Sequence, residues 1–174
     1  MAQISIRRST PADLDQIIAI VKQAKALLKA DGSPQWQDGH PTRQTFVDDI
    51  ADGTNWVLTV GQQIAGTATL KTTPDPTYQH IDGSWVKPDD PYGTIHRVAI
   101  SANFRGQHLS NYFISNLLTV GRLKGLTNFR IDTHPLNKRV QAIAKHFDFD
   151  YRGIIKVEDQ IDPRRFAYEL NFSH

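Results

Sequence analysis

The chain has 174 residues, of which 39% are hydrophobic and 22% charged, with a formal net charge of +2, a balance typical of one globular domain over residues 1–174. The small charge without a basic stripe excludes a nucleic-acid partner, and the lack of a signal-peptide core or membrane-length apolar run excludes a membrane protein and favours the cytoplasm. Because the sequence contains no cysteine, disulfides, thiolate nucleophiles and cysteine-ligated zinc are also excluded.

The first part of the chain changes from strand to helix patterns and back. Alternating apolar residues indicate strands, while apolar residues three to four apart indicate helices. Thr10-Pro11 and Pro41-Thr42 are helix-start signals, and both helices end at an Asp-Gly pair. The predicted elements are a strand (Gln3 to Arg8), two helices (Thr10 to Asp31, Pro41 to Asp52) and a hairpin (Asn55 to Val60, Gln63 to Lys71).

A long irregular stretch from Thr72 to Gly93 separates these elements from the second part, and loops of this length are usually functional or disordered. The predicted elements that follow are a strand (Thr94 to Ile100), a helix (Leu109 to Gly121), a strand (Asn128 to Thr133), a helix (Asn137 to His146) and a closing hairpin (Phe149 to Val157, Arg165 to Leu170). The strand–helix–strand–helix order predicts an α/β (α+β) fold. Its mixed, partly parallel sheet has about six to seven strands flanked by about four helices.

The junction between the fourth predicted strand and the next helix has the chemistry of an anion site. A helix starting at Leu109 leaves its first amides unpaired, and those amides attract anions. Gly106 permits close approach of a ligand, Arg105 adds a permanent charge suited to phosphate, and Ser110 adds a hydroxyl. The glycine fingerprint of dinucleotide folds and the ending of a P-loop are absent. The junction is therefore predicted to hold a diphosphate.

This junction resembles that of the GNAT superfamily of N-acetyltransferases, which carries the pattern Gln/Arg-x-x-Gly-x-Gly/Ala after its fourth strand. The matching run here is Arg105-Gly106-Gln107-His108-Leu109-Ser110, with His108 and Ser110 departing from the pattern. The context fits, because the strand IHRVAI precedes the run and RIDTHPLN then leads to Asn137, where the family often has an asparagine near the cofactor. The element order resembles that of the family along almost the whole chain.

The resemblance implies that acetyl-CoA is the acetyl donor. In the family the fourth and fifth strands splay apart, and the pantetheine arm pairs with the fourth strand, here near Val98 and Ile100. The diphosphate then lies on the amides of residues 105–110. Asn137 is expected to cap the next helix, and its amide can also reach the pantetheine. The acceptor is expected to be an amine of a small molecule, an amino acid or a peptide N-terminus.

His96 is the candidate general base, because histidine titrates in the useful range and family members carry a base or a water-relaying residue on this strand. Strand alternation predicts that Thr94, His96, Val98 and Ile100 share one side. The alternative is a half-buried histidine bonded to a neighbour. Asp132, at the end of the fifth strand, can bind the acceptor cation or assist as a base. Alternatively, it can pair with Arg130 or Arg97, or cap the turn before Pro135.

Other parts of the family pattern are altered. The tyrosine that many members place seven residues after the asparagine falls on Ala144, so the usual general acid is missing. Trp36 and Trp85 can wall the acceptor pocket or can anchor two loops to the core. A metal site at His96, His134 and His146 has no ligand-pair spacing.

Two functions remain open at this point. One is an active N-acetyltransferase, and the other is a CoA-binding regulatory or interaction module with little catalysis. The histidine on the fourth strand favours the enzyme, whereas the altered junction and the missing tyrosine favour the module. The closing hairpin is a plausible contact in a homodimer.

Overall fold

The computed structural model describes residues 2–173, which form eight strands and four α-helices. The strands are β1 (Ile4–Arg8), β2 (Asn55–Val60), β3 (Gln63–Lys71), β4 (Asp82–Gly83), β5 (Tyr92–Ile100), β6 (Asn128–Thr133), β7 (Asp150–Lys156) and β8 (Arg164–Asn171). The α-helices are α1 (Leu14–Ala30), α2 (Arg43–Ala51), α3 (Leu109–Leu123) and α4 (Lys138–His146). No helix in this range is both long and apolar enough to cross a membrane.

All eight strands form one mixed sheet in the order β1-β2-β3-β5-β6-β8-β7-β4, in which only the β5–β6 pair is parallel. The mixed, partly parallel α/β fold with four helices is therefore confirmed. The strand count is slightly higher than predicted, because β4 adds a two-residue strand whose Asp82 pairs with Ile154 of β7. Two residues carry no periodicity, so the sequence gives no sign of this strand.

Helices cover both faces of the sheet. Helices α3 and α4 pack on one face through a core that includes Phe113, Leu117 and Phe129. Helices α1 and α2 pack on the opposite face through Ile17 and Phe46. Each helix therefore buries the apolar stripe that predicted it.

The two central strands part after a short parallel contact. Residues 92–94 of β5 pair with residues 128–130 of β6, and no pairing continues beyond Thr94 and Arg130 within residues 2–173. The prediction that these strands splay is confirmed. The separation exposes one backbone edge of β5 from Ile95 to Ile100.

A β-bulge interrupts β5 at Arg97, whose φ of 54° lies in the left-handed region. Between the register pairs Thr69–His96 and Thr67–Ala99, β3 contributes one residue and β5 contributes two. The extra residue reverses the alternation of side chains along the rest of the strand.

The predicted sharing of one side by His96, Val98 and Ile100 is therefore wrong. Val98 and Ile100 pack into the core beneath α3, whereas Ala99 packs into the core beneath α1. Ala99 and His96 each face a threonine two residues apart on β3, so these two residues share a side. Simple alternation failed because one left-handed residue shifts every later side chain to the other face.

Candidate active site

A cleft of about 1210 Å³ opens where β5 and β6 part. Eleven of the predicted site residues line it, namely Trp36, His96, Val98, Ile100, Arg105, Gly106, His108, Leu109, Ser110, Asp132 and Asn137. Gln107 and Trp85 are not among its lining residues. The cleft runs from the start of α3 to the loop between β3 and β5, so it brings the anion junction and His96 into one space.

The junction from Arg105 to Ser110 forms one end of the cleft. Residues 105–108 are exposed, and the backbone amides of 106–110 have no hydrogen-bond acceptor within residues 2–173. The guanidinium of Arg105 donates to the carbonyl of Gln23 at 3.3 Å, which anchors the junction to α1. Free amides at a helix start, beside a permanent cation, are suited to bind an anion.

Two residues of the junction have left-handed backbones. Gly106 has φ 79° and His108 has φ 55°. His108 stands where the family usually has glycine, and it keeps the backbone conformation that glycine favours, at a cost of about 1–2 kcal/mol. The imidazole of His108 is exposed at the mouth of the cleft. Histidine in place of glycine therefore changes the side chain at this position but keeps the left-handed backbone of the turn.

Asn137 acts as the helix cap that its position predicts. Its Oδ1 accepts from the amide of Val140 at 3.3 Å, and its Nδ2 donates to Gln35 Oε1 at 3.1 Å. The same Gln35 oxygen accepts from the Thr133 hydroxyl at 3.3 Å. Gln35 therefore ties the segment after α1 to the end of β6, a role that no sequence pattern indicates.

His96 lies between two carboxylates. Its Nε2 is 3.1 Å from Asp75 Oδ2, and its Nδ1 is 3.7 Å from Asp132 Oδ2. Asp75 also accepts from the amide and the hydroxyl of Thr77. Burial raises the pKa of Asp75, but the hydrogen bonds from His96 and Thr77 outweigh it and hold that pKa well below its usual value. An ionised Asp75 only accepts, so neutral His96 carries its proton on Nε2 and its lone pair on Nδ1.

Asp132 is held in place by a buried phenol. The hydroxyl of Tyr78 donates to Asp132 Oδ2 at 2.8 Å, and burial, followed by the negative charge of Asp132, raises the pKa of Tyr78 well above its usual value. The 3.7 Å between His96 Nδ1 and Asp132 Oδ2 exceeds hydrogen-bond length. A primary ammonium carries three donors, so it can donate to both atoms at once.

Neither arginine that the sequence offers as a partner for Asp132 pairs with it. Arg97 binds Asp49 of α2 through Nε at 2.9 Å and Nη2 at 2.8 Å. Arg130 lies between the rings of Trp85 and Tyr92, with its guanidinium carbon 4.1 and 3.9 Å from the ring centres. Asp132 therefore accepts a hydrogen bond from Tyr78 and lies beside His96, with no arginine paired to it within residues 2–173.

The two predicted acceptor-side tryptophans occupy different places. Trp36 has a left-handed backbone with φ 66° and lines the cleft. Trp85 packs beside Tyr78, and its Nε1 donates to the Tyr78 carbonyl at 3.0 Å. Trp85 thus anchors the long loop beneath the site. This agrees with the alternative expectation for Trp85, that it holds a loop to the core.

At the position where many family members have a tyrosine, this chain has an alanine that packs in the core. Ala144 is fully buried in the core beneath α3 and α4, and no tyrosine is among the described residues that line the cleft.

Of the three histidines considered for a metal, His96 faces Asp75 and His134 faces Asp162 at 3.0 Å. Residues 2–173 contain no group of three metal-ligating side chains placed to hold a metal ion.

Comparison with known proteins bears directly on this site. The model of the acetyltransferase (GNAT) family matches residues 21–149. A crystal structure of a GNAT-family acetyltransferase from Streptococcus agalactiae is 32% identical, with a TM-score of 0.86, and the match covers 100% of this chain and 99% of that one. No curated protein matches the chain. The family resemblance read from the junction is therefore confirmed.

Two more distant structures share the fold. PaiA N-acetyltransferase from Thermoplasma acidophilum, crystallised with coenzyme A, is 12% identical with a TM-score of 0.74, covering 98% of this chain and 99% of that one. The ribosomal-protein-S18-alanine N-acetyltransferase of Escherichia coli is 14% identical with a TM-score of 0.67, covering 99% and 96%. At these identities the likeness shows the fold alone.

Proposed function

The chain belongs to the GNAT family of acetyltransferases, and we propose that it transfers an acetyl group from acetyl-CoA to a primary amine of a small molecule, an amino acid or a peptide N-terminus. The observation that carries this proposal is the position of His96 in the cleft. Its Nδ1 lone pair faces Asp132, while Asp75 holds the opposite nitrogen.

The residues of the junction fit the diphosphate of acetyl-CoA. The amides of 106 to 110 have no acceptor within residues 2–173, Gly106, His108, Leu109 and Ser110 line the cleft at the positive end of a helix dipole, and Arg105 adds a full charge. The exposed edge of β5 beyond Thr94 offers unpaired backbone groups for the pantetheine arm, including those of Val98 and Ile100. Acetyl-CoA, when bound, supplies the activated thioester.

Asp132 and His96 would prepare the acceptor amine. A primary ammonium has a pKa of about 10.4, so it must lose a proton before its nitrogen can attack. Asp132 orients the ammonium, His96 Nδ1 takes the proton, and Asp75 stabilises the resulting imidazolium through Nε2. General-base catalysis of this kind contributes about 10²–10⁴-fold.

Two further contributions to the rate come from how the cleft positions the reactants. A backbone amide on the exposed edge of β5 can donate to the carbonyl oxygen as negative charge develops there. Alignment of both reactants in one cleft contributes about 7–11 kcal/mol. Because a thiol of pKa about 8.5 is a good leaving group, the reaction does not require the tyrosine that Ala144 replaces.

Titration calorimetry with acetyl-CoA, followed by thiol release across a panel of amines, tests the proposal. Binding together with thiol release for at least one amine supports the transferase. Tight binding without thiol release for any acceptor supports the CoA-binding module instead, the function that the absence of a lining tyrosine would favour. Absence of binding rejects both.

A further inference from the structure

Gln35 lies in the segment between α1 and α2, is 8% exposed and lines the main cleft. Its Oε1 accepts from the Thr133 hydroxyl and from the backbone amide of His134, both at 3.3 Å, and from Asn137 Nδ2 at 3.1 Å. A backbone amide can only donate, so the atom that meets these three groups must be the oxygen. The three contacts therefore fix which way the side-chain amide is turned.

The other end of this amide has no partner in the protein. Gln35 Nε2 carries two hydrogens, and neither has an acceptor within residues 2–173, where the unpaired side-chain atoms that are sealed from solvent belong to Thr94, Arg130 and Arg152. Nε2 therefore keeps some accessible surface. Because Gln35 is otherwise buried and lines the cleft, that surface opens into the cleft.

The backbone of Gln35 is also held on both sides. Its amide donates to Ser33 Oγ at 3.3 Å, and its carbonyl accepts from Gln37 Nε2 at 3.2 Å. The same Gln37 nitrogen donates to the carbonyl of Lys25 in α1 at 3.0 Å. Gln35 is thus fixed before any ligand arrives, so little conformational entropy is lost when its free donor is used.

Gln35 lies on the wall of the cleft that faces the exposed edge of β5. The groups that hold its Oε1 belong to the end of β6, the residue after it and the cap of α4. Strands β5 and β6 do not pair beyond Thr94 and Arg130, so residues 95–100 of β5 leave a gap toward this wall. An extended molecule along the β5 edge would pass between backbone groups on one side and Gln35 Nε2 on the other.

The chemistry of Nε2 selects the kind of group that it can bind. An ammonium has only donors, so the acceptor amine is unsuited to this position. The pantetheine arm of acetyl-CoA carries two amide carbonyls, which accept. Acetyl-CoA would also displace water from the cleft, and a desolvated donor without an acceptor is strongly unfavourable. A carbonyl of the arm is therefore the partner that suits Gln35.

We propose that Gln35 is a further binding residue for acetyl-CoA, whose Nε2 donates to an amide carbonyl of the pantetheine arm. This inference rests on the proposed function. Asn137 is then a positioning residue, because its Nδ2 holds the oxygen of Gln35 and so aims the nitrogen. The arm is bound from both walls of the gap, by the edge of β5 and by a residue outside the Arg105 to Ser110 junction.

Gln35→Glu tests the contact, because it keeps an oxygen for the three donors and replaces the free NH₂ group by a second oxygen. Three donors favour the ionised carboxylate, so measurement at about pH 8 leaves no donor at this position. We expect acetyl-CoA to bind about tenfold more weakly by calorimetry, with a thermal unfolding midpoint near that of the wild type. ADP has a diphosphate but no pantetheine arm, so its affinity should not change.

Gln160→Glu is the matched control for the added negative charge. Gln160 is exposed and lines the same cleft, and no side-chain hydrogen bond involves it within residues 2–173. We expect this variant to bind acetyl-CoA as the wild type does. An equal loss of affinity in both variants would mean that charge alone weakens binding and would overturn the inference.

Three further results would overturn it. They are unchanged acetyl-CoA affinity in Gln35→Glu, an equal loss for acetyl-CoA and ADP, and a change in the amine KM alone. Should the variant fail to fold, a crystal structure of the wild-type protein with coenzyme A decides, where we expect Nε2 within about 3.2 Å of a pantetheine carbonyl; Nε2 bonded only to water would contradict the contact. Acetyl-CoA binding without thiol release for any amine would reject the proposed transfer, while the same affinities still decide on Gln35.

Discussion

The carboxylate of Asp75 lies 3.1 Å from His96 Nε2 and fixes which nitrogen of the ring is free. This contact joins a loop residue to a strand residue 21 positions away. Because Asp75 is ionised and can only accept, the free lone pair lies on Nδ1, on the side of Asp132. The orientation of the proposed base therefore depends on a loop residue that caps the single 3-10 turn Pro76–Tyr78.

Replacing Asp75 tests that dependence. In Asp75→Asn the amide can still accept from Thr77, but it no longer neutralises a protonated His96. We expect turnover to fall at least about tenfold, which is part of the ~10²–10⁴-fold that a general base contributes to the rate. The affinity for acetyl-CoA should change little. Steady-state kinetics and calorimetry measure the two quantities. Asp89→Asn, an exposed position of the same loop, is the control, and an equal effect of both variants would contradict the role of Asp75.

The phenol of Tyr78 should matter for the acceptor more than for acetyl-CoA. Tyr78→Phe removes the 2.8 Å hydrogen bond that holds Asp132, so the carboxylate can rotate away from the ammonium. We expect a higher KM for the amine, by about tenfold or more, since a hydrogen bond to a charged group is worth ~1.5 kcal/mol or more. Tyr112→Phe is the matched control, because its hydroxyl bonds the Ile4 carbonyl at 3.0 Å on the surface. Unchanged amine KM in Tyr78→Phe would count against Asp132 as the ammonium site.

Substitutions of two glycines at opposite ends of α3 distinguish an effect on acetyl-CoA binding from an effect on stability. Gly106 and Gly125 have φ of 79° and 85°, and a Cβ at either position would meet no atom within 4 Å. Alanine at each should therefore lower the free energy of unfolding by a similar ~1–2 kcal/mol from backbone strain alone. We expect only Gly106→Ala to weaken acetyl-CoA binding, as measured by calorimetry. Equal affinities in the two variants would mean that the junction does not hold the diphosphate.

The charge of Arg105 should add to that binding. Arg105→Ala is expected to weaken acetyl-CoA binding about tenfold, or ~1.4 kcal/mol, at low salt, and by less at high salt because the contact is exposed. Lys124→Ala removes an equal charge at the far end of α3 and serves as control. An affinity loss that is the same for both variants would show that only net charge matters.

The elements, but not the site contacts, could be predicted from the sequence. The bounds of β2, β3 and β6 agree with the predicted strands, because burial on a sheet leaves a periodic pattern. The partner of His96 could not be predicted, since Asp75-Pro76-Thr77 signals a turn without saying where that turn packs. The bulge at Arg97 was equally hidden, because the Asp49 that binds it lies 48 residues away on α2. Contacts of this kind depend on tertiary packing and leave no local signal.

The ion pair between Arg7 and Asp13 predicts how stability changes with pH. The hydrogen bond from Arg7, 2.7 Å long, lowers the pKa of Asp13 from 3.8 to about 2. A carboxylate with a lowered pKa in the folded state stabilises above its unfolded pKa and loses that contribution as the pH falls toward the folded value. The difference in free energy of unfolding between wild type and Asp13→Asn should therefore be largest near neutrality and shrink from about pH 4 to 2. Denaturant titrations at several pH values measure it, with the exposed Asp15→Asn as control; a constant difference would contradict the assignment.

Turnover of His96→Gln, measured beside its dissociation constant for acetyl-CoA, tests the proposed base most directly. Glutamine keeps a hydrogen-bonding side chain of similar reach but cannot take up a proton at neutral pH. The expected result is a fall in turnover of about 100-fold or more with acetyl-CoA affinity near that of the wild type. Turnover equal to that of the wild type at saturating amine would contradict the role of His96 and leave the paired carboxylates without a catalytic purpose.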